Sequence, residues 1–180
     1  MLEAARDRAS KVRNMTDPRR PHPNPARTFV VRFALLWGAL LSAQAFLPSI
    51  MTGAIAGTVA STAAMLRLLG ARPEVLGDTV GVGTATIQIV PECTPVLAFL
   101  TLAAAIIAFP GAARHKVLGC AAALPILWAY NLVRILTTLA VLLWAPRLFD
   151  VAHSYLWQGI TICLLVGLFV AWAGIVRRAP

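Results

Sequence analysis

Charged residues are scarce in this 180-residue sequence, where Asp, Glu, Lys and Arg together make up 13%. A soluble domain carries about a quarter charged residues, so this chain cannot cover a globular surface with charge. Hydrophobic side chains make up 59% of the chain, and its mean hydropathy is +0.76. Intrinsic disorder requires low hydrophobicity and is therefore excluded for the chain as a whole.

Acidic residues are scarcer than basic ones, at 7 against 16, which gives a net charge of +9. A basic chain suggests nucleic acid as a partner, but the distribution of the charge argues against it. Eight of the 16 basic residues fall at or before Arg32, and the rest of the chain is nearly charge-free between short basic segments. This pattern is typical of an integral membrane protein whose basic segments stay in the cytoplasm.

Several motifs are missing, and each absence disfavours a class of protein. The three cysteines form no C-x-x-C pair, which disfavours a thiol oxidoreductase. No acidic residue lies in the middle of a predicted span, where a proton-coupled transporter usually keeps one. One outer histidine with scattered acids is not a metal-ligand set, so the sequence predicts neither a metal nor a cofactor.

The apolar runs predict an all-α integral membrane protein with four transmembrane helices. Each run approaches the ~20 residues needed to cross the hydrocarbon core. The predicted spans cover residues 29–47, 95–109, 117–144 and 153–176 of a membrane-embedded domain, 29–176. Residues 1–28 are predicted to be a basic, disordered cytoplasmic tail, and 177–180 a cytoplasmic C-terminus. Four spans put Arg114, Lys116 and Arg177 on the same side as the basic tail.

Two segments are predicted to lie on the outer face. Residues 49–70 read as an amphipathic helix, because a fifth span would move Lys116 and the final arginines outside. Residues 73–90 combine glycine turns with the polar–apolar alternation of 84–89 and predict a small β-hairpin. Ala43-Gln44-Ala45 resembles a signal-peptidase site, but we expect the first span to be retained as an anchor.

Cys93 is the candidate nucleophile. Thr94 suits an N-cap and Pro95 the first position of the helix that follows, so the thiol should lie at a helix N-terminus. The macrodipole there favours an anion and can lower a thiol pKa. The alternative is a small apolar filler, which is the interpretation for Cys120 and Cys163.

Arg134 is the second candidate, because a charge inside a span is costly and suggests function. Asn131 and Thr138 share its helix face through i, i+3 and i+7 spacing. A polar stripe of this kind faces protein or water more often than lipid. The alternative is an arginine that snorkels to the outer headgroups.

His153 is the third candidate, at the start of the last predicted span. Taken alone it reads as an interfacial histidine, but Cys93, Arg134 and His153 fall near the outer boundary on three different spans. A thiol, an imidazole and a guanidinium are the groups that thiol-based acyl transfer needs. Glu92 and Asp150 could orient His153 or pair with Arg134, or they could be ordinary loop charges.

The segments around these residues resemble the exosortase/archaeosortase family of multi-span membrane enzymes. The resemblance covers roughly 29–176 and is carried by Ile87-Gln88-Ile89-Val90-Pro91-Glu92-Cys93-Thr94, Asn131-Leu132-Val133-Arg134-Ile135 and Ala152-His153. It implies a cysteine transpeptidase in which Cys93, Arg134 and His153 match the family's catalytic residues. Asn131 and Glu92 are predicted to support the site, Asn131 by positioning Arg134 or binding the substrate backbone.

The resemblance also implies partners: membrane proteins with a C-terminal sorting signal, composed of a short motif, a spanning helix and a basic cluster. The predicted enzyme lies in the cell membrane among lipids, binds no nucleic acid and faces its substrates from the extracytoplasmic side. Pro95 departs from the family pattern, because glycine usually stands there, and the chain is shorter than the eight-span members. A non-enzymatic membrane scaffold or partner subunit is the alternative function.

Overall fold

The computed structural model describes residues 24–178, and they form five helices of 13 or more residues, several short helical turns and one small antiparallel sheet. The predicted disordered tail therefore lies outside the described residues, apart from 24–28. The helices are α1 (Pro25–Ala45), α2 (Pro48–Leu68), α3 (Val96–Ala108), α4 (Ala113–Trp144) and α5 (Trp157–Arg178). The strands are β1 (Glu74–Leu76), β2 (Thr79–Val82) and β3 (Ala85–Gln88).

Four helical segments within residues 24–178 are long and apolar enough to cross a membrane: α1, α2, α4 and the segment Pro146–Arg178 that includes α5. The predicted class, a helical protein suited to a membrane, is therefore confirmed. The set of long helices differs from the predicted spans, because α3 has only 13 residues. At 1.5 Å per residue α3 is about 20 Å long, well short of the ~30 Å hydrocarbon core.

Helix α1 begins before the predicted start at residue 29. The Asn24 side chain accepts a hydrogen bond from the Ala26 backbone N–H at 3.0 Å, and Pro25 occupies the first helical position. Both residues favour helix initiation, because asparagine satisfies a free N–H and proline has none to satisfy. Assigning 25–28 to a disordered tail was therefore wrong.

Helices α1, α3, α5 and the first half of α4 pack side by side, and we call them the four-helix layer. α1 runs antiparallel to α3, because Phe29 meets Phe109 and the Trp37 indole N–H donates to the Thr101 hydroxyl at 3.0 Å. The core of the layer contains buried side chains of α3 and α4 with partly buried ones of α5: Leu102, Ile106, Ala123, Leu127, Leu164, Leu168 and Phe169.

Helix α5 runs antiparallel to the first half of α4, with a hydrogen bond near each end. Near the top, the Tyr130 hydroxyl lies 2.7 Å from the Thr161 hydroxyl. Near the bottom, the Trp172 indole N–H donates to the His115 carbonyl at 3.1 Å. The exposed faces of the layer carry large apolar side chains, such as Leu35 at 70% exposure. Exposed faces of this kind suit a lipid environment better than water.

The second half of α4 extends above the layer and packs with α2 and the sheet, and we call this unit the cap. α4 has 32 residues, so it is about 48 Å long and much longer than the hydrocarbon core is thick. The cap core joins buried side chains of α2, the sheet and α4: Val59, Leu66, Val80, Ala85, Ile89, Ile135 and Leu139. α2 therefore follows α4 upward, and it does not fold back along α1.

The α2 segment is a helix as predicted, but its polar face is not on the outside. Thr58 and Thr62 are buried, at 1% and 0% exposure, while the outward face carries Ala56, Ala60 and other small residues. The Thr58 hydroxyl donates to the Ala54 carbonyl of its own helix at 2.8 Å, which lets a threonine be buried without an external partner. Val59 and Leu66 are buried in the cap core and Ile55 packs against it, so the helix has one buried apolar face, while its predicted place on the outer face stays a prediction.

The predicted β-hairpin is confirmed and is extended by a third strand. The order is β1-β2-β3 with both pairs antiparallel, Val75 opposite Val80 and Val80 opposite Ile87. Gly77 and Gly83 provide the positive φ angles, +61° and +60°, that the two tight turns require. β3 leads directly into the Pro91–Cys93 turn and so connects the cap to the start of α3.

Candidate active site at the boundary of the four-helix layer and the cap

A cavity of about 270 Å³ lies where the cap meets the four-helix layer, and we call it the thiol pocket. Cys93, Arg134 and His153 all line it, although they come from three separate segments of the chain. Its other lining residues come from β3, α4 and the turn before α5: Thr86, Ile87, Gln88, Val90, Ile135, Thr138 and Phe149. The structure therefore brings the three candidate catalytic residues together.

Cys93 ends a single 3-10 turn, Pro91–Cys93, between β3 and α3. Its backbone N–H donates to the Val90 carbonyl at 2.8 Å, and its half-buried side chain packs against the cap core. The Thr94 hydroxyl donates to the Pro91 carbonyl at 2.7 Å and accepts from the Val96 N–H at 3.4 Å. Thr94 thus accepts a hydrogen bond from the first turn of the helix as predicted, and the helix begins at Val96, one residue later than predicted.

Two α4 side chains hold the turn that carries Cys93. The Asn131 amide donates to the Cys93 carbonyl at 2.8 Å, and the Arg134 guanidinium donates to the Glu92 carbonyl at 3.4 Å. Asn131 is buried at 5% exposure, so the hydrogen bond that its amide makes is shielded from solvent. Asn131 therefore contacts the backbone of the candidate nucleophile, and its predicted roles in positioning Arg134 or binding a substrate backbone stay predictions.

His153 lies in a π-helical turn, Ala152–Leu156, that precedes α5. Such turns are rare and occur often at functional sites. The imidazole stacks on the Phe149 ring with centroids 5.4 Å apart and planes 3° apart, which fixes its orientation. Its Nδ1 atom is buried and has no hydrogen-bond partner among the described residues. An imidazole nitrogen without a partner can exchange a proton with a group that comes within hydrogen-bond distance of it.

The two acidic candidates differ in how they relate to the site. Glu92 is exposed, and its contact with Arg134 is made by its backbone carbonyl and not by its carboxylate. Asp150 is also exposed, three residues before His153 in the segment that precedes α5. Glu92 therefore contributes its backbone to the site, and Asp150 is the acidic residue nearest to His153 in the sequence.

Strand β3 presents a free edge to the thiol pocket. The Ile89 N–H donates to the Asp78 carbonyl at 2.8 Å, so these two residues form a hydrogen-bonded pair. In an antiparallel ladder every second pair of opposite residues is hydrogen-bonded, so Val80 and Ile87 form the next such pair. The backbone groups of Thr86 and Gln88 then point away from β2. Successive side chains of a strand point to opposite faces of the sheet. Thr86, Ile87 and Gln88 nevertheless all line the pocket, so the pocket borders the backbone edge of the strand and not one of its faces.

The other two cysteines lie away from this pocket. Cys120 packs in the core of the four-helix layer, Cys163 is exposed on α5, and all three thiols are free. Within residues 24–178, no three His, Cys, Asp or Glu side chains are grouped to hold a metal ion. The thiol pocket itself is lined by a thiol, an imidazole and a guanidinium.

Sequence reasoning missed Phe149 and the edge of β3. Phe149 stands four residues before His153, a spacing that places two rings on one helical face, but the segment between two proposed spans looked like a loop. Thr138 was recognised on the polar stripe of Arg134, and its buried hydroxyl donates to the Arg134 carbonyl at 2.7 Å. It completes the wall of the pocket on α4.

No protein-family model, curated protein or solved structure matches this chain. The geometry of the thiol pocket and the sequence motifs that line it are therefore the basis for assigning a function.

Proposed function

We propose that this chain is an exosortase-like cysteine transpeptidase or protease of the cell membrane. In this proposal it cleaves C-terminal sorting signals at the outer face and transfers the acyl product to an acceptor or to water. The observation that carries the proposal is the thiol pocket, where Cys93, Arg134 and His153 line one cavity of about 270 Å³. The thiol supplies a nucleophile, the imidazole can move its proton, and the guanidinium can stabilise the developing oxyanion.

In the first step, the Cys93 sulfur attacks the carbonyl carbon of the scissile peptide bond while His153 takes the thiol proton. Negative charge develops on the carbonyl oxygen, and the Arg134 guanidinium stabilises it in a partly dry site. The carbon–nitrogen bond then breaks, His153 gives its proton to the leaving amine, and a thioester on Cys93 remains. The Phe149 ring keeps the imidazole in one orientation throughout.

In the second step, an amine or a water molecule attacks the thioester carbonyl, and His153 takes the proton of the attacking group. The carbon–sulfur bond breaks, and the thiolate that leaves regains a proton from His153. The bond from Asn131 to the Cys93 carbonyl keeps the backbone of the nucleophile in place during both attacks. Orientation of this kind is a large part of catalysis by covalent intermediates.

The free edge of β3 supports binding of an extended substrate segment. A peptide that added to the Thr86–Gln88 edge as a fourth strand would gain backbone hydrogen bonds and run along the thiol pocket. Backbone recognition of this kind tolerates different side chains, while the pocket selects those next to the scissile bond. A linear sorting motif suits this mode of binding.

The charges of the described residues support an orientation in the bilayer. All four acidic residues, Glu74, Asp78, Glu92 and Asp150, lie in or beside the cap. The opposite end of the four-helix layer, which we call the basic end, carries only basic ones: Arg27, Arg114, Lys116, Arg177 and Arg178. The positive-inside rule counts Lys and Arg, and the five at the basic end exceed the four in or beside the cap, Arg67, Arg72, Arg134 and Arg147. The basic end therefore faces the cytoplasm in this proposal, and the cap with the thiol pocket faces outward.

The proposal is tested by processing of a tagged substrate in cells. The substrate is an encoded protein that ends in a short motif, an apolar helix and a basic cluster, co-expressed with each variant of the enzyme. Cys93→Ala should abolish cleavage while the protein stays in the membrane. Cys120→Ala and Cys163→Ala are matched controls, because they remove the same atoms outside the thiol pocket and should leave cleavage intact. Normal cleavage by Cys93→Ala would reject the proposal.

The second candidate is a membrane scaffold or partner subunit, and one observation favours it. The polar side chains of α4 are satisfied within the protein, as Asn131 and Tyr130 show, which is what structural contacts between helices require. A scaffold needs no reactive thiol, so it predicts that alkylation of Cys93 is slow and unaffected by changes at His153.

A further inference from the structure

A second cavity, of about 750 Å³, lies at the basic end of the four-helix layer, at the other end from the thiol pocket. It lies between the start of α1, the α3–α4 connection and the end of α5. Its volume is within the ~300–1,000 Å³ usual for small-molecule sites. We call it the basic-end cavity, and nothing in the acyl-transfer chemistry of Cys93 uses it.

The apolar part of the basic-end cavity is aromatic. Phe29 of α1, Phe109 after α3 and Phe169 of α5 all line it. Their ring centroids are 5.7–6.3 Å apart, which makes one continuous cluster from three helical segments. Side chains from three separate segments provide an apolar surface wide enough for a hydrocarbon chain. A free inorganic ion would gain no favourable contact with this surface.

The polar part of the cavity is cationic. Arg114, His115 and Arg177 line it, and the Arg177 guanidinium lies 5.4 Å from the centre of the Phe109 ring. This cation–π contact holds a positive charge next to the aromatic cluster. The described acidic residues all lie at the other end of the molecule, so none of them neutralises these side chains.

Neighbouring contacts keep this arrangement in place. The Trp172 indole donates to the His115 carbonyl at 3.1 Å, which joins the start of α4 to α5 beneath the cavity. Lys116 does not line the cavity, because its ammonium donates to the Ile107 carbonyl at the end of α3 at 2.8 Å. The two arginines are therefore the permanent charges that face the cavity.

We propose that the basic-end cavity binds one anionic phospholipid. Its phosphate pairs with Arg114 and Arg177, and one acyl chain packs against Phe29, Phe109 and Phe169. Charge complementarity selects the headgroup, because guanidinium groups pair with phosphate and no acidic residue within 24–178 lies at this end of the molecule. A free phosphate leaves the aromatic surface unused, and the basic cluster of a peptide is repelled by the arginines. The site is independent of the proposed acyl transfer.

The test is native mass spectrometry of the full-length protein released from membranes with defined lipid. The protein is reconstituted in an equal mixture of phosphatidylglycerol and phosphatidylcholine with matched acyl chains. We expect one phosphatidylglycerol to be retained per protein in preference to phosphatidylcholine. Arg114→Gln and Arg177→Gln should each lower this preference about fivefold, and the double variant about 25-fold.

Arg178→Gln is the matched control, since it removes the same charge from the adjacent residue, which does not line the cavity. It should retain phosphatidylglycerol like the unchanged protein. Equal retention of the two lipids, or an equal loss in Arg178→Gln, would overturn the proposal. Unchanged thermal unfolding of each variant establishes that a lost lipid reflects a lost site and not a lost fold.

Discussion

The Asn131 side-chain amide donates to the Cys93 backbone carbonyl over 2.8 Å, across 38 residues of sequence. This bond ties the middle of α4 to the turn that presents the thiol, and it is buried at the level where the cap meets the four-helix layer. Arg134, one helical turn further on, donates to the adjacent Glu92 carbonyl. One face of α4 thus holds the backbone of the candidate nucleophile at two consecutive residues.

Asn131→Asp should reduce cleavage of a tagged substrate at least tenfold. The new side chain has nearly the same shape, but a carboxylate cannot donate to the Cys93 carbonyl, and an unmade bond to a buried group costs about 1–3 kcal/mol. Cleavage rate and thermal unfolding are the measurements. Thr137→Val serves as the control, because the Thr137 hydroxyl bonds only within α4. Wild-type cleavage by Asn131→Asp would mean that this bond does not position the thiol.

Arg134→Lys should impair cleavage nearly as much as Arg134→Gln. A lysine ammonium keeps the charge but lacks the planar fork that can contact the Glu92 carbonyl and a developing oxyanion together. The exposed Arg147 lies near the same end of the protein, so Arg147→Lys is the matched control and should cleave normally. Should Arg134→Lys be fully active, Arg134 would be an interfacial anchor and not part of the site.

Gly119→Ala should destabilise the four-helix layer. A Cβ at Gly119 would overlap the Trp172 indole, with the ring Cδ1 only 2.8 Å away, and that indole is bonded to the His115 carbonyl. Overpacking of this kind costs about 1–3 kcal/mol, or several degrees in the unfolding temperature. Gly167→Ala is the control, because its Cβ meets no atom within 4 Å. Equal unfolding temperatures for the two variants would contradict the packing described here.

The fold could be predicted from sequence where the pattern is local. Alternation over 84–89 predicted β structure, and the apolar run predicted over 95–109 ends within one residue of the end of α3. The start of α1 was missed because Asn24 and Pro25 lie in a polar, proline-containing segment that looked like a tail. The burial of Thr58 and Thr62 could not be predicted from the sequence, because threonine counts as a polar residue there. In the helix, Thr58 satisfies its hydroxyl on its own backbone and packs inside.

The candidate site could be predicted in its residue types but not in its contacts. Depth along each helix already suggested that Cys93, Arg134 and His153 lie at one level, and the thiol pocket contains all three. The bond from Asn131 to the Cys93 carbonyl could not be foreseen, because it depends on the rotation of α4 relative to a turn 38 residues away. Phe149 was missed for a similar reason, since its stacking on His153 depends on a helical turn that sequence did not reveal.

The central claim is that Cys93 is a nucleophile activated by His153. It is tested most directly by the rate of iodoacetamide alkylation at Cys93, followed by mass spectrometry in the intact protein and in His153→Gln. The exposed Cys163 in the same molecule reports any general change in access. The account predicts at least a tenfold slower reaction at Cys93 in His153→Gln with Cys163 unchanged, since a positioned base contributes about 10²–10⁴-fold to catalysis. An equal rate at Cys93 in both proteins would contradict it.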